Sequence, residues 1–505
     1  MWIICAGAKR SGSTLQYNLI SNLVEKSGLG KRIPHFKTQE FSRVKNEFSS
    51  FDGYKVIKIH AYDSVILQLI ESDKAIVFHC YRDIRDVVVS FINKGWIDHN
   101  INEIEKTVYS YLKELSSWEK ISQKIISRKY EHFIQDYIGE LKFIEKQLGI
   151  EIFEEDRLEI ANSLEIKSLK NKQDKISVDN KQESYGQVFN KYNLLHQNHI
   201  HNGDPNQFIE ALSKDEILCI ERIAYKYIER NGYDLYWPKT DVFLSLSQHA
   251  DDYVAWQLLG KKTNGFAIEI GAFDGLHLSN VYSLEKIGWD TMNIEPNPKM
   301  FKEVEINRPD SLNINCAVVS DKSIKKIKFY AEEIGVLSGC SYDEIDVERR
   351  YSNRGLAYAK PMEINVLAKT LDQLLIENKL GSQKINLVSI DVEGFELEVL
   401  NGIDFDRVII GMIIIESNSD EFDKRIFKFF EDKKEYVFLG RNYQNLFFSH
   451  RSEVKRSRLK KLSTQGYVKA VQYHPFNSEM DLNSVYPNFI KSNVFKKEER
   501  FLKFL

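Results

Sequence analysis

Short apolar runs alternate with longer amphipathic stretches through most of the chain. In the first half, Trp2–Ala6, Lys55–Ile59 and Ala75–Tyr81 have the length and composition of buried strands. Two longer stretches, Thr14–Lys26 and Asn102–Ser127, repeat apolar residues at helical spacing. Strands that alternate with helices are typical of a mainly parallel sheet, so this pattern predicts an α/β fold.

A second alternation of strands and helices starts near Asp251. Its strand candidates are Ala267–Ile270, Thr291–Ile294, Leu312–Val319, Ile385–Ile390 and Val408–Ile415. The turn sequences differ from those of the first half, so the second half is not a repeat of it. The Tyr-Trp-Pro sequence at 236–238 interrupts the pattern. We therefore predict two α/β domains, residues 1–240 and 241–505.

Amino-acid composition excludes several classes of protein for this chain. The 505 residues are 43% hydrophobic and 28% charged, with a net charge of −3. These values exclude disordered and collagen-like chains, and they give no support for nucleic-acid binding. The five cysteines include no CxxC pair, which favours reduced thiols over structural zinc. No signal peptide and no apolar run of about 18 residues is present, so we expect a cytoplasmic protein without a membrane span.

Two segments depart from this average composition. Residues 163–184 are polar and poor in aromatic residues, which predicts a loop or lid. Residues 450–505 carry 12 Lys and Arg against 5 Asp and Glu. This basic tail would steer an anionic acceptor or cap the second domain.

A glycine-containing loop follows the first strand. The sequence from Gly7 to Thr14, GAKRSGST, leads directly into the first predicted helix. Backbone N–H groups and a helix N-terminus at such a loop favour phosphate binding. The spacing from Gly7 to Gly12 matches a P-loop, but Ser13 stands where a nucleotide kinase needs lysine. The loop therefore predicts an anion site and a poor NTPase site, with an ordinary Gly/Ser turn as the alternative.

Two further groups follow neighbouring strands. Lys58-Ile-His60 ends the second strand, and Arg82 begins the sequence RDIRDVVVS, which ends at Ser90. The carboxyl ends of parallel strands meet at one edge of a sheet, so these groups and the loop converge there. Surface ion pairs are the alternative for both arginines. We favour phosphate binding for Arg82 and a structural role for Arg85.

Together, KRSGST, KIH and YRDIRDVVVS resemble the sulfotransferases that use 3′-phosphoadenosine 5′-phosphosulfate (PAPS). The resemblance implies that His60 is the catalytic base, that Lys58 stabilises the transferring sulfuryl group and that Arg10 neutralises the leaving phosphate. Tyr130-Glu131 resembles a strand near the adenine in that family, and residues 199–208 weakly resemble its late glycine-containing loop. No metal is implied. The cofactor-binding residues implied are Lys9, Arg10, Ser11, Gly12, Ser13, Thr14, Arg82, Ser90 and Tyr130.

The second half has its own glycine-containing turn. Glu269-Ile-Gly271-Ala-Phe-Asp274-Gly follows a strand, and Glu295 ends the next strand. An acid at that position accepts hydrogen bonds from ribose hydroxyls. The ExGxxxG spacing, without the longer glycine cradle for a pyrophosphate, favours S-adenosylmethionine over NAD. Further along, Asp391 and Glu393 follow another buried strand.

The ordered set EIGAFDG, NIEPNP, NCAVVSD and IDVEGFELEVLNG resembles FkbM-type methyltransferases, which methylate hydroxyl groups. The resemblance implies a Rossmann-like class I sheet in which Asp391 and Glu393 lie near the transferred methyl group. His277 is an alternative base, and Glu416 is a candidate acceptor contact. We expect no metal here, although Asp391 and Glu393 are able to hold one. The cofactor-binding residues implied are Glu269, Gly271, Asp274 and Glu295.

The two resemblances together predict a bifunctional transferase. A P-loop-like sulfotransferase sheet is followed by a Rossmann-like methyltransferase sheet. The expected acceptors are hydroxyl groups of a glycan, glycolipid or secondary metabolite. Two alternatives stay open: a kinase-like first domain fused to a methyltransferase, and a degenerate domain that serves as a docking module.

Overall fold

The computed structural model describes most of the chain. It covers residues 1–165, 168, 181–184, 187–195, 203–353, 357–381, 383–453, 456–463 and 466–471. The chain divides into two compact units after Ile228. Most of the predicted polar loop at 163–184 and of the basic tail lies outside the described residues. None of the helices in the described ranges is long and apolar enough to cross a membrane.

Strands and helices alternate in the first unit, as the hydrophobic pattern predicts. The strands are β1 (Trp2–Ala6), β2 (Gly30–Arg32), β3 (Tyr54–Ile59), β4 (Ala75–Tyr81), β5 (Ile125–Lys129), β6 (Lys181–Ser184) and β7 (Gln187–Asn190). The helices are α1 (Ser13–Lys26), α2 (Phe41–Glu47), α3 (Ser64–Glu71), α4 (Ile84–Asn93), α5 (Ile101–Glu119), α6 (Tyr130–Gln135), α7 (Tyr137–Leu148), α8 (Glu154–Leu164), α9 (Phe208–Ala211) and α10 (Lys214–Arg230). Five strands form a parallel sheet in the order β2-β3-β1-β4-β5.

The central strand β1 is buried on both faces. Ile3 and Cys5 pack with α1 and α7 on one side, whereas Trp2, Ile4 and Ala6 pack with α2 and α3 on the other. A strand covered on both faces is a continuous apolar run, which is why the sequence pattern marks it clearly. The carboxyl end of β1 leads into the loop that precedes α1.

The second unit contains a larger sheet. Its strands are β8 (Phe243–Ser245), β9 (Phe266–Ile270), β10 (Asp290–Ile294), β11 (Leu312–Ile314), β12 (Ala317–Val318), β13 (Lys326–Ala331), β14 (Met362–Lys369), β15 (Ile385–Ile390), β16 (Ile410–Glu416), β17 (Tyr436–Asn442), β18 (Asn445–His450) and β19 (Tyr467–Lys469). Its helices are α11 (Asp251–Leu258), α12 (Tyr282–Lys286), α13 (Pro298–Asn307), α14 (Glu344–Ser352), α15 (Leu371–Glu377), α16 (Glu396–Asn401), α17 (Asp420–Glu431) and α18 (Arg456–Lys460). The main sheet has seven strands in the order β11-β10-β9-β15-β16-β18-β17. Among the described strands of this sheet, β18 alone runs in the opposite direction, so its pairs with β16 and β17 are antiparallel and the other pairs are parallel.

The predicted α/β class with two mostly parallel sheets is confirmed. Two sequence-predicted elements are wrong in extent. The helix predicted to reach Ser127 ends at Glu119, because Ile125 and Ile126 pair with β4 as part of β5. The strand predicted over 312–319 is two strands in different sheets, because β11 pairs with β10 and β12 pairs with β14.

Candidate active sites

The loop between β1 and α1 is tightly packed around its second glycine. Gly12 has a φ of 98°, and a Cβ atom there would lie 2.4 Å from the Tyr130 ring. A side chain is therefore excluded both by backbone conformation and by space. The hydroxyl of Ser11 is buried in the same loop and has no hydrogen-bond partner. The Ser11 hydroxyl, beside the N-terminus of α1, is therefore able to bond to a ligand.

Three basic side chains predicted from the sequence converge beside this loop. Arg10 Nε donates to Ser90 Oγ at 2.8 Å, which joins the loop to α4. Burial and the nearby Arg82 guanidinium lower the pKa of Arg10 to about 10. Burial, together with the charge of Arg10, lowers the pKa of Lys58 to about 8. Mutual repulsion among these cations makes the site favourable for an anion.

His60 is held in one tautomer. Its Nδ1 lies 2.7 Å from the carbonyl oxygen of Gly7, and its Nε2 lies 3.4 Å from Nζ of Lys58. A carbonyl oxygen only accepts hydrogen bonds, so Nδ1 carries the proton, and Nε2 is an acceptor that the Lys58 ammonium reaches at 3.4 Å. Burial and the Lys58 charge lower the pKa of His60 to about 3, so the ring is neutral near pH 7. The imidazole therefore presents an unprotonated nitrogen on the Lys58 side.

Sequence reasoning missed Glu114. This residue lies on α5, and its Oε1 is 3.9 Å from Nδ1 of His60. The backbone N–H of Lys9 also bonds to the Glu114 carboxylate, and burial raises the pKa of Glu114. No sequence signal marks this glutamate, because it is one polar residue among several on a long amphipathic helix. Only the packing of α5 places its carboxylate beside the histidine.

Arg82 and Tyr130 lie against each other. The Arg82 guanidinium carbon is 4.5 Å from the centre of the Tyr130 ring. Arg82 Nη2 donates to the carbonyl oxygen of Asp204 at 3.0 Å and lies 3.5 Å from Asp86 Oδ2, while its buried Nε has no partner. Tyr130 is the first residue of α6, so the predicted strand at Tyr130-Glu131 is wrong, since β5 ends one residue earlier.

Residues 199–208, which resemble the late glycine-containing loop of the sulfotransferase family, contact this site through their described part. Residues 199–202 lie outside the described residues. Asp86 accepts hydrogen bonds from the backbone N–H groups of Asn206 at 2.9 Å and Phe208 at 3.1 Å. Arg85, in contrast, is buried. Its Nη1 lies 2.5 Å from Oε1 of Glu221, and its guanidinium packs over the Phe208 ring. Arg85 therefore has the contacts of a structural residue.

The second unit has a cleft of about 340 Å³ at the carboxyl ends of β9, β10, β15 and β16. Gly271 lies on its wall with a φ of 87°. A Cβ atom at this position would lie 1.7 Å from the carbonyl oxygen of Asp391. Glycine thus allows the ends of β9 and β15 to meet beneath the cleft.

Glu269 and Asp274 both hold the turn that lines this cleft. The Glu269 carboxylate accepts from the Ser279 hydroxyl at 2.6 Å and from the backbone N–H of Asn280 at 2.7 Å. Asp274 accepts from the backbone N–H of His277 at 2.8 Å and lies 2.5 Å from Nδ1 of that ring. His277 Nε2 is buried without a hydrogen-bond partner. These carboxylates shape the turn, and His277 offers a nitrogen at the cleft.

Glu295 ends the neighbouring strand and faces the same cleft. Its two carboxylate oxygens accept from the backbone N–H groups of Asn297 at 2.7 Å and Phe273 at 2.9 Å. Burial raises the pKa of Glu295 to about 8 despite these bonds. Each oxygen still has a lone pair for another donor, because a carboxylate offers about four acceptor positions.

Four carboxyl groups gather where the cleft meets a neighbouring pocket: Asp391, Glu393 and Glu416 line the cleft, and Glu396 lines the neighbouring pocket. Asp391 lies beside Glu416, and burial together with that neighbour raises the pKa of Asp391 well above its ordinary value. Burial and like charges raise the pKa of Glu393 to about 8 and those of Glu396 and Glu416 to about 7. Arg350, on α14, lies 3.6 Å from Glu393. Sequence reasoning missed Glu396, although it stands three residues after Glu393 in the same quoted motif.

The family comparisons follow this division of the chain. Residues 2–204 match the family model for the sulfotransferase domain, and residues 269–443 match the model for the methyltransferase FkbM domain. The chain carries a sulfotransferase domain followed by an FkbM methyltransferase domain. Both predicted resemblances are confirmed. No curated protein matches the chain.

Solved structures give more distant similarities. A mouse sulfotransferase complexed with PAP is 12% identical, with 45% of this chain and 83% of that chain covered and a TM-score of 0.35. A retinol dehydratase in complex with retinol and PAP is 17% identical, with coverages of 47% and 83% and a TM-score of 0.31. A precorrin-6y C5,15-methyltransferase from Geobacter metallireducens is 11% identical, with coverages of 41% and 88% and a TM-score of 0.21. These scores are low, so the domain assignment depends on the family matches.

Proposed function

We propose that the chain is a bifunctional enzyme that sulfates a hydroxyl group with PAPS and methylates a hydroxyl group with S-adenosylmethionine. The observation that carries the proposal is that each domain gathers its predicted polar side chains at the carboxyl ends of its central strands. Fusion of the two domains suggests that both act on one product. A glycan, glycolipid or secondary metabolite is the expected acceptor.

Buried polar groups without partners and nearby basic side chains support PAPS binding at the sulfotransferase site. The buried Ser11 hydroxyl and Arg82 Nε both lack partners, so each is able to bond to a phosphate or sulfate oxygen. Arg10 and Ser90, already bonded to each other, lie where the loop meets α4. When bound, PAPS would supply an activated sulfuryl group to the acceptor oxygen. The site needs no metal for charge neutralisation where three basic side chains surround the loop.

Proton transfer in this domain is assigned to His60. Its unprotonated Nε2 would accept the proton that the acceptor hydroxyl loses, as the acceptor oxygen bonds to sulfur and the bond between that sulfur and the phosphate oxygen of PAPS breaks. Lys58, 3.4 Å from that nitrogen, stabilises negative charge on the transferring group. Glu114 stabilises the imidazolium that results, since its carboxylate lies on the Nδ1 side of the ring.

The methyltransferase cleft fits S-adenosylmethionine in a similar way. Glu295 has acceptor positions left for ribose hydroxyls, and Gly271 keeps the cleft wall free of a side chain. When bound, the cofactor would supply a methyl group on a positively charged sulfur. Asp391 and Glu393 orient the acceptor hydroxyl and take its proton, with His277 as the alternative base. Holding the hydroxyl in line accounts for much of the expected acceleration.

Calorimetry with PAPS and ATP on the intact protein separates this proposal from the kinase-like alternative. Tight binding of ATP without binding of PAPS would exclude the sulfotransferase function. A docking role for either domain is tested by mass spectrometry of glycan or metabolite extracts incubated with both donors. Added sulfate and methyl masses support the proposal, and absence of either mass points to an inactive domain.

A further inference from the structure

Three carboxylates form a compact group where the methyltransferase cleft meets a neighbouring pocket. They come from Asp391 after β15, Glu416 at the end of β16 and Glu396 at the start of α16. One oxygen from each lies within 4.8 Å of the other two. Two ligands on opposite sides of a cation bound at about 2.3–2.6 Å are themselves about 4.6–5.2 Å apart. The three oxygens are therefore close enough to share one ion.

Glu396 shows that this group is incomplete without a ligand. The residue is only 1% exposed, and its Oε1 accepts from the backbone N–H groups of Val392 at 3.2 Å and Gly394 at 3.0 Å. Its Oε2 is buried and has no hydrogen-bond partner. A buried carboxylate oxygen without a partner is costly, and a cation at the cluster would remove that cost.

One neighbouring guanidinium, that of Arg350, acts on part of this group of carboxylates. Arg350 lies 3.6 Å from Glu393 and donates through Nε to Asp346 at 2.8 Å. Arg350 interacts electrostatically with Asp391 and Glu393, whereas burial and the charges of neighbouring carboxylates raise the pKa values of Glu396 and Glu416. Buried charges in proteins are normally paired or bound to metal ions.

We propose that Asp391, Glu396 and Glu416 bind a hard divalent cation of the Mg²⁺, Mn²⁺ or Ca²⁺ class. Carboxylate oxygens are the ligands that these ions prefer. Asn418, which hydrogen-bonds to Glu416 and lines the same cleft, offers a further oxygen.

The position of the cluster also suggests what the cation does. Asp391 faces the open cleft, so coordination positions stay accessible there. An acceptor hydroxyl bound to the cation at such a position is oriented, and its pKa is lowered. This role rests on the proposed methyl transfer to a hydroxyl, whereas cation binding does not.

Metal binding is tested on the full-length protein after treatment with a chelator. Calorimetric titration with Mn²⁺ and with Ca²⁺ is expected to show a site that is at least tenfold weaker in Glu396→Gln and in Glu416→Gln. Both substitutions keep the side-chain shape and a hydrogen-bond acceptor. Glu421→Gln, which removes an exposed carboxylate on α17, is the matched control and should bind like the wild type. Absence of binding in the wild type, or equal binding in all four proteins, would overturn the proposal.

The same samples separate this proposal from the methyltransferase function. If S-adenosylmethionine supports methyl transfer in excess chelator and no cation binds, the cation site is wrong and the enzymatic function stands. If the cation binds as expected but no acceptor is methylated, the cation site stands and the methyl transfer is wrong. Thermal unfolding of each variant shows whether the fold is retained.

Discussion

The α-carbon of Gly271 and the carbonyl oxygen of Asp391 are so close that a Cβ atom on Gly271 would lie 1.7 Å from that oxygen. Asp391 in turn donates its backbone N–H to the carbonyl of Ile270 at 3.0 Å. The end of β9 therefore supports the first residue after β15. The glycine of the proposed cofactor-binding turn and the acid that we propose for methyl transfer therefore depend on one backbone contact.

Gly271→Ala is expected to disrupt this contact. The φ of 87° and the steric overlap together predict a loss of at least about 2 kcal/mol in the free energy of unfolding of the methyltransferase domain. S-adenosylmethionine binding should be lost with it, as measured by calorimetry. Gly381→Ala is the control, because its added Cβ meets open space. Normal cofactor binding by Gly271→Ala would contradict binding of S-adenosylmethionine against this turn.

His60→Asn tests the catalytic base. The asparagine side-chain amide is able to donate to the Gly7 carbonyl, as Nδ1 of the imidazole does, but it offers no basic nitrogen beside Lys58. Sulfuryl transfer should therefore fall by about 10²–10⁴-fold while donor binding and thermal unfolding change little. His99→Ala, at a side chain that is 49% exposed, should leave the rate unchanged. A rate for His60→Asn close to that of the wild type would refute the assignment.

Glu114→Gln separates positioning from binding. The amide keeps an acceptor for the Lys9 N–H but removes the charge near Nδ1 of His60. The imidazolium formed during transfer loses that stabilisation, so kcat for sulfuryl transfer should fall about tenfold with KM for PAPS unchanged. Glu119→Gln, at an exposed position on the same helix, is the control. A change confined to KM would indicate that Glu114 acts on the donor site instead.

Arg82→Gln distinguishes the two donor sites. The glutamine amide is able to keep the bond to the Asp204 carbonyl, but it loses the charge and the unpartnered Nε. Affinity for PAPS should fall about 10- to 100-fold, as expected for loss of a charge-assisted hydrogen bond. S-adenosylmethionine affinity should not change. Arg43→Ala, an exposed arginine, serves as the control, and an equal loss of both affinities would contradict two independent sites.

Sequence patterns predicted the bounds of strands and turns correctly where neighbouring residues set the environment of each residue. β1, β4 and β15 have the predicted bounds, because strands buried on both faces are continuous apolar runs. The helix that follows Gly12 and the turn at Gly271 were also predicted, since positive φ values restrict those positions to glycine. Errors arose where tertiary pairing decided the outcome. Ile125 continues a helical pattern, but its pairing with β4 makes it a strand residue.

The sequence by itself determined the two domain families, the order of the domains and most of the polar residues at the strand ends. Tertiary structure alone decided which side chains from distant elements meet them. Glu114 comes to His60 from α5, and Glu396 turns back toward Asp391 and Glu416. The physical reason is that a sequence motif contains residues whose positions are set by one local turn. The distance between charged side chains from different elements depends instead on how the helices pack across the sheet. The proposed cation site follows from that packing.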